Sequence, residues 1–508
     1  MSNKPSLKKN IFLNVFYEII CVIAPFITAP YVSRVLQSSG VGIYSYTQSL
    51  VTYFTMFAAL GTGTYGLREI AMCRDDKEQY SRTFWGIEII SVCTSVLSLI
   101  VWFFIAYLYA SYRIYLLILS LNILSTLFDI SWFYRGLEKF QYTILINSLA
   151  KILNIVLIFL FVKTPSDTWI YVLITALSTL LGNVSMWVFL PFYLKRTKVE
   201  KASIRHHLKE TFVYFIPTIA TTIYTVLDKT LIGMLIPGTV TTVDSNGNEV
   251  VQKLSDIENG YYEQATKIIN IVKTMAFIGI NGVMASRSSY LYGKKDEEGV
   301  KKLLKTTYSI TLLLSIGASF GIAAIASNFV PIFFGEGYDK TVYILYVLCF
   351  LSTIICISNV LGAVYYTPSG RRRDSTKYLI IGSLINLVLS IPLILVLKSI
   401  GAALASVIAE SAISVLYIVH SNKMYSFREL FQDTWKKILS GILMFAAVFG
   451  LGAGLNGEMN AYILLAIQIL LGIAVYLIML LVLKDTSVRE TFRFFVGKSK
   501  RRKHGEEA

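Results

Sequence analysis

Residues 11–32 read IFLNVFYEIICVIAPFITAPYV, an apolar run that follows a short basic start at Lys4, Lys8 and Lys9. At 1.5 Å of helical rise per residue, a run of this length crosses the roughly 30 Å hydrocarbon core of a bilayer. The basic start and apolar run resemble a secretory signal. The run outlasts the usual signal h-region, however, and no small-residue cleavage site closes it. It reads as a first membrane span that is retained.

The rest of the chain repeats this pattern. Of its 508 residues 55% are hydrophobic and only 15% charged, against about 25% charged in soluble domains. Such a chain lacks the charged surface a soluble enzyme of this size needs. Apolar runs place spans near 11–33, 42–62, 84–109, 114–134, 142–162, 168–194, 210–236, 261–286, 306–328, 341–366, 376–397, 400–420, 437–455 and 461–483. The expectation is an all-α polytopic membrane protein of about fourteen transmembrane helices, because only a helix satisfies its own backbone in lipid.

Charge sorts along this map. Most of the 47 Lys and Arg fall on one side of it. The opposite side holds only Arg34, Arg113, Lys163, Lys253, Lys340 and Lys398, and Lys151, Lys229, Lys267 and Lys273 lie inside spans. The positive-inside rule then puts both termini on the cytoplasmic side of the membrane. The net charge of +16 follows from topology, and the basic tail Lys498–Lys503 reads as an anchor to anionic lipid rather than a nucleic-acid site. The five cysteines and four histidines make neither a ligand set nor a C-x-x-C pair, so no metal and no cofactor is expected. Gly61, Gly63 and Gly66 match G-x-G-x-x-G, but an apolar helix precedes them instead of a strand. They read as close packing at a helix end.

The chain also resembles itself. Gly42-Ile43-Tyr44 and Gly260-Tyr261-Tyr262 open the second and eighth spans, and at the same offset of 218 Ala58 falls on Ala276 and Gly61 on Gly279. Ala24-Pro25-Phe26 resembles Ile216-Pro217-Thr218 at a shorter offset. The difference is taken up by a loop containing Asn246-Gly247 between β-branched residues, which reads as a hairpin on the outer face. The domains expected are a six-helix lobe at 1–209 and a second six-helix lobe at 210–422 with the hairpin near 237–258. Two extra helices and a basic tail follow at 423–508. Parallel repeats of this kind hold a substrate between their halves. Pro25, Pro30 and Pro217 mark bending points.

Polar residues inside the spans are the functional signal, since a charge at the bilayer centre costs roughly 2.5–3.5 kcal/mol on the insertion scale. Span eight carries Glu263, Lys267, Asn270, Thr274 and Asn281 at helical spacings, with Lys273 on the flank. Span seven carries Thr218, Thr221, Thr225 and Asp228, then Lys229; span one carries Glu18 and is closed by Arg34; spans four and five offer Asp129 and Lys151. Each has a bland alternative: Glu263 and Lys267 at i,i+4 can neutralise each other, and Asn and Thr rows often only hold helices together. Taken as a set, the excess of lysine points to a cavity that attracts an anion.

The run Ala29-Pro30-Tyr31-Val32-Ser33-Arg34-Val35-Leu36, with Gly42-Ile43-Tyr44-Ser45-Tyr46 and Tyr65-Gly66-Leu67-Arg68-Glu69-Ile70-Ala71, resembles the N-terminal pattern of Wzx-type polysaccharide-repeat flippases. So do Leu227-Asp228-Lys229-Thr230-Leu231-Ile232-Gly233 and Gly260–Ile268. These belong to the multidrug/oligosaccharidyl-lipid/polysaccharide exporter superfamily, and the resemblance covers essentially the whole chain. It implies two six-helix lobes with two further helices, and a transporter rather than an enzyme. The substrate implied is an undecaprenyl-diphosphate-linked oligosaccharide, carried outward by alternating access. A polysaccharide polymerase and a chain-length regulator are the implied partners, beside membrane lipid, and the chain is expected to be a monomer. On that basis Arg34, Lys151, Lys229, Lys267 and Lys273, with Asn270 and Asn281, form the substrate-binding cavity. Glu18, Asp129, Asp228 and Glu263 pair with them or couple the cycle. A drug or metabolite exporter of the same superfamily is the alternative. A membrane polymerase is a weaker one, because the longest outer loop is too short to carry a catalytic domain.

Overall fold

The computed structural model describes residues 7–195, 197, 200–243, 249–277, 284–421, 431–455 and 457–486. In chain order the helices are α1 (Leu7–Ala59), α2 (Thr62–Met72), α3 (Lys77–Leu108), α4 (Arg113–Leu127), α5 (Ser131–Gly136), α6 (Phe140–Phe161), α7 (Thr168–Met186), α8 (Leu190–Tyr193), α9 (Lys201–Leu235), α10 (Leu254–Phe277), α11 (Ala285–Gly293), α12 (Glu297–Phe334), α13 (Asp339–Leu348), α14 (Leu351–Leu361), α15 (Arg372–Leu397) and α16 (Ser399–Ser421). Two more, α17 (Thr434–Leu455) and α18 (Ala461–Val482), end the described chain. Strands β1 (Thr239–Val243) and β2 (Glu249–Lys253) pair antiparallel between α9 and α10, with Thr239 opposite Lys253 and Val243 opposite Glu249. They form the hairpin the sequence predicts; its Asn246-Gly247 turn lies outside the described residues.

Among the described residues, eleven helical segments are long and apolar enough to cross a membrane, or twelve if 201–223 and 225–235, bent by 49°, count as one span. Two features keep this below the expected fourteen. Helix α1 runs through the first two expected spans as one stretch, interrupted only at Gln37 (φ 58°, ψ −179°). Helix α10 carries Glu263, Lys267 and Lys273 close together, too many charges for a plain apolar span. The breaks also fall beyond the prolines. Gln37 lies two turns past Pro30, and the α9 bend lies two turns past Pro217. A proline disturbs the turn before it, so these bends have another cause.

The chain folds as two compact units, one ending at Glu263 and one beginning at Gln264. In the first, α1 packs against α3, α4, α6 and α9, and α7 packs against α4 and α6. Helix α3 shows how a lipid-facing helix is built. Its inner face is small and polar (Ser91, Ser95, Ser98, Ala106), with Trp102 fully buried and its indole N–H donating to the Leu116 carbonyl at 2.8 Å. Its outer face exposes Leu97, Ile100, Phe104 and Leu108. Without a hydrophobic drive between helices in lipid, small side chains let backbones approach while large apolar ones meet the acyl chains. Of the three motif glycines, Gly61 (φ 76°) starts α2 against the Phe215 backbone and Gly66 packs on the Trp132 ring, while Gly63 faces open space.

In the second unit α12 starts under an Asp296 cap, with Glu297 and Glu298 in its first turn beside the positive end of the helix dipole. It packs against α14, α17 and α18, and α15 pairs with α16. The last two helices are fastened at several points. Tyr476 donates to the Leu313 carbonyl at 2.9 Å, Asn328 donates to Gln468 at 3.0 Å, and the Lys437 ammonium meets the Asp485 carboxylate at 3.0 Å.

Candidate functional site

In the first unit the second arm of α1 crosses the start of α10 at unusually close range. A Cβ on Gly42 would lie 1.6 Å from the Asp256 carbonyl oxygen, and a Cβ on Gly260 would lie 1.9 Å from that of Ser38. The offset that carries Gly42 to Gly260 also carries Ser38 to Asp256. The crossing is therefore reciprocal: each glycine sits on the carbonyl that corresponds to the one its counterpart sits on. A two-fold contact has this property, and the internal repeat acquires a physical meaning here.

The charged residues gather beside this crossing. On α9, Asp228, Lys229 and Thr230 are consecutive and point about 100° apart around the helix. Asp228 accepts a hydrogen bond from Tyr262 of α10 at 2.5 Å. Lys229 meets the Glu263 carboxylate at 2.5 Å, and its carbonyl accepts from Asn259 at 3.0 Å. Thr230 turns to α1, 2.9 Å from the Ser49 hydroxyl and 3.2 Å from that of Tyr53. Ser45 donates to Glu263 at 3.0 Å, again across the offset of 218. Gly233 makes room for the Tyr46 ring one turn on.

Glu263 thus has Lys229 of another helix as a partner, a contact of which the i,i+4 spacing to Lys267 gives no hint. The side chains of Lys229 and Glu263 are 22% and 10% exposed. Two charges withdrawn from water at this depth need each other and further hydrogen bonds to offset lost hydration; Ser45 supplies one to the Glu263 carboxylate, while Asn259 holds the Lys229 backbone. A partly accessible lysine held by a carboxylate is also a place where an incoming anion can compete for the cation.

Other expected site residues lie elsewhere. Lys151 of α6 is half-buried, with its ammonium over the Tyr17 ring at 6.0 Å. Asp129 accepts from the Ser131 amide at 3.0 Å, a local turn at the start of α5. Arg34 is exposed on α1. In the second unit Lys267 and Lys273 are half-buried and Asn270 is exposed, with the Glu410 carboxylate of α16 in electrostatic reach of Lys273. Asn281 and the side chain of Glu18 lie outside the described residues. Sequence reasoning misses Ser45, Asn259 and Thr230, whose uncharged side chains look like ordinary helix contacts. It also misses Glu88 on α3, buried with no hydrogen-bond partner on either carboxyl oxygen among the described residues. A lone acid inside an apolar run of 26 residues was the signal for it.

Many apolar helices in two compact units, with ion pairs held between helices, fit a membrane transporter of the exporter superfamily that also contains multidrug carriers. The family described as "Lipid II flippase MurJ" matches residues 138–471, more than half of the chain, and that described as "Polysaccharide biosynthesis protein" matches residues 7–252. The chain belongs to the polysaccharide-repeat flippase family of that superfamily, a family of transporters and not of enzymes. It is 25% identical over 434 residues, 83% of its length, to a provisionally assigned O-antigen transporter of Escherichia coli (strain K12), of which 99% is covered. In fold it is similar to a solved structure of the lipid II flippase MurJ in an inward closed conformation (TM-score 0.69, 19% identity, covering 94% of this chain and 98% of the other). An inward-facing multidrug resistance transporter shares the fold less closely (TM-score 0.55, 15% identity, 79% and 97% covered).

Proposed function

We propose that this multi-pass membrane protein is a flippase for an undecaprenyl-diphosphate-linked oligosaccharide repeat unit. It carries the unit from the cytoplasmic to the outer face of the bacterial cytoplasmic membrane by alternating access, for surface polysaccharide assembly. Both termini face the cytoplasm, the chain works as a monomer, and a polymerase and chain-length regulator take the product on. The observation that carries this reading is the Lys229–Glu263 pair beside the α1–α10 crossing. A diphosphate brings more negative charge than one carboxylate and displaces Glu263 from Lys229, while the lipid tail stays in the bilayer. Glu263, released, then takes part in resetting the site. Arg34, Lys151, Lys267, Lys273, Asn270 and Asn281 extend the attraction along the path, and Asp228, Asp129 and Glu18 balance its charge.

The test is a deletion strain complemented with wild type, Lys229→Ala or Lys267→Ala, scored for surface polysaccharide and for the sidedness of accumulated lipid-linked units. Inward-facing accumulation that neither variant relieves is expected. Normal export by both variants would remove the cationic path, and outward-facing unpolymerised units on deletion would point to a polymerase instead. Likeness of fold to a multidrug carrier keeps a drug exporter as the second reading. Drug sensitivity on deletion with intact surface polysaccharide would favour it.

A further inference from the structure

At the hairpin end of the first unit a cavity of about 710 Å³ opens between β2, the 163–168 turn, the residues before α4 and the break in α1. It has the size of a small-molecule site and does not include the Lys229–Glu263 pair. Its floor is an ordered polar group: Tyr112 donates to Asp256 at 2.7 Å, and the Lys253 ammonium stands 4.3 Å over the same ring. Burial pushes the Asp256 carboxyl up to about 6, against the opposing effects of the Tyr112 hydrogen bond and the Lys253 charge. Around the rim stand the exposed hydroxyls of Ser111 and Ser166 and the amide of Gln252, with the Tyr115 ring behind them. Lys163 also lines the wall, but its ammonium donates to the Phe159 carbonyl at 2.5 Å.

Gln37 is the second observation. It is a non-glycine residue at φ 58°, it lines the cavity, and it is where α1 breaks. Backbone held in the left-handed region persists only where the surroundings over-determine it, and such positions gather at ligand sites.

The lining selects among ligands. A single carboxylate is too few for a calcium or magnesium cage. Polar walls disfavour an apolar drug, which needs an apolar lining with few polar groups. Hydroxyls, an amide, a carboxylate and a tyrosine ring supply the mixed donors, acceptors and flat apolar face that a sugar ring presents in return. Asp256 repels polyanions, while Lys253 attracts one negative group. We propose that this cavity is a saccharide site that holds a pyranose bearing a single carboxylate. Its source in the exported oligosaccharide rests on the flippase reading, under which the hairpin faces outward and the site receives the sugar on release.

Saturation-transfer NMR on the purified full chain in nanodiscs, with a glucuronate–glucose disaccharide and its neutral glucose–glucose counterpart, tests this. A saturable signal is expected for the acidic sugar, about fivefold weaker for the neutral one and for Lys253→Gln. It should be lost in Ser166→Trp and in Ser111→Trp, both exposed positions that line the cavity. No saturable signal from wild type, or an undiminished one from both tryptophan variants, overturns the proposal. The deletion strain separates the two readings. Acidic-sugar binding without any export defect leaves the cavity and removes the flippase. Inward-facing accumulation with no sugar binding leaves the flippase and removes the cavity.

Discussion

Two lysine–carboxylate pairs inside the helical units are alike in chemistry and different in access. Lys437 and Asp485, which join the ends of α17 and α18, are 3% and 0% exposed. Lys229 and Glu263, between α9 and α10, are 22% and 10% exposed and share their site with the Ser45 hydroxyl. A fully enclosed pair is closed to an incoming ligand, so it fastens two helices. A pair that keeps an opening can exchange partners. Two lysines paired with carboxylates inside the helical units therefore separate into a staple and a site once their surroundings are known.

The largest effect is expected at the staple. Lys437→Ala leaves Asp485 buried without its cation, a change that costs about 3–5 kcal/mol, and thermal denaturation in detergent should show a large fall. The double variant Lys437→Met with Asp485→Leu should recover most of that stability and export normally. If the double variant folds but does not export, the pair is more than a staple and the comparison breaks. At the site the order reverses. Lys229→Ala should reduce export at least about tenfold, as loss of one partner of a buried pair does in binding, with a smaller fall in stability.

Next comes the crossing itself. Gly42→Ala drives a methyl group into the Asp256 carbonyl, and backbone cannot yield as a side-chain tip does. A loss of about 1–3 kcal/mol is expected from overpacking, whereas Gly63→Ala, with open space around it, should stay within about 0.5 kcal/mol. Equal melting temperatures for Gly42→Ala and Gly63→Ala would show that the crossing opens freely.

These residues also show how much was legible beforehand. The apolar runs betray most of the long helices because lipid demands them, although two expected spans run on as α1, and the offset of 218 was visible in Gly42 and Gly260. What the offset meant was not: that the repeated glycines sit on each other's corresponding carbonyls is a fact of tertiary packing. The charges of span eight were visible too, but their partners were not. Spacing offers Glu263 only the Lys267 of its own helix and gives no sign that Lys229 reaches it from α9. Glu88 is the one acid in a long apolar run, a signal too small to change the reading of that run as a span. The prolines misled in the other direction, drawing attention to positions where α1 and α9 continue and away from Gln37, where the left-handed backbone breaks α1.

A third carboxylate sharpens the contrast between staple and site, with the smallest expected effect. Asp256 is buried like Asp485, but the hydrogen bond it accepts comes from a neutral tyrosine, and Lys253 acts on it from across the ring. Its carboxyl titrates at about 6 in the folded protein against 3.8 in an ordinary setting. Between those values the folded chain binds more protons than the unfolded one. The group's contribution to stability is therefore fully present below about pH 4, declines as pH rises to about 6 and is constant above that. An asparagine side chain at this position would keep an oxygen for Tyr112 and lose the charge, so Asp256→Asn should remove this decline. Melting temperatures measured from pH 4 to pH 8 should show the variant gaining on wild type up to about pH 6 and holding a fixed lead beyond it. A lead that does not change with pH would mean that Lys253 fully compensates the charge, and Asp256 would then belong with the staple.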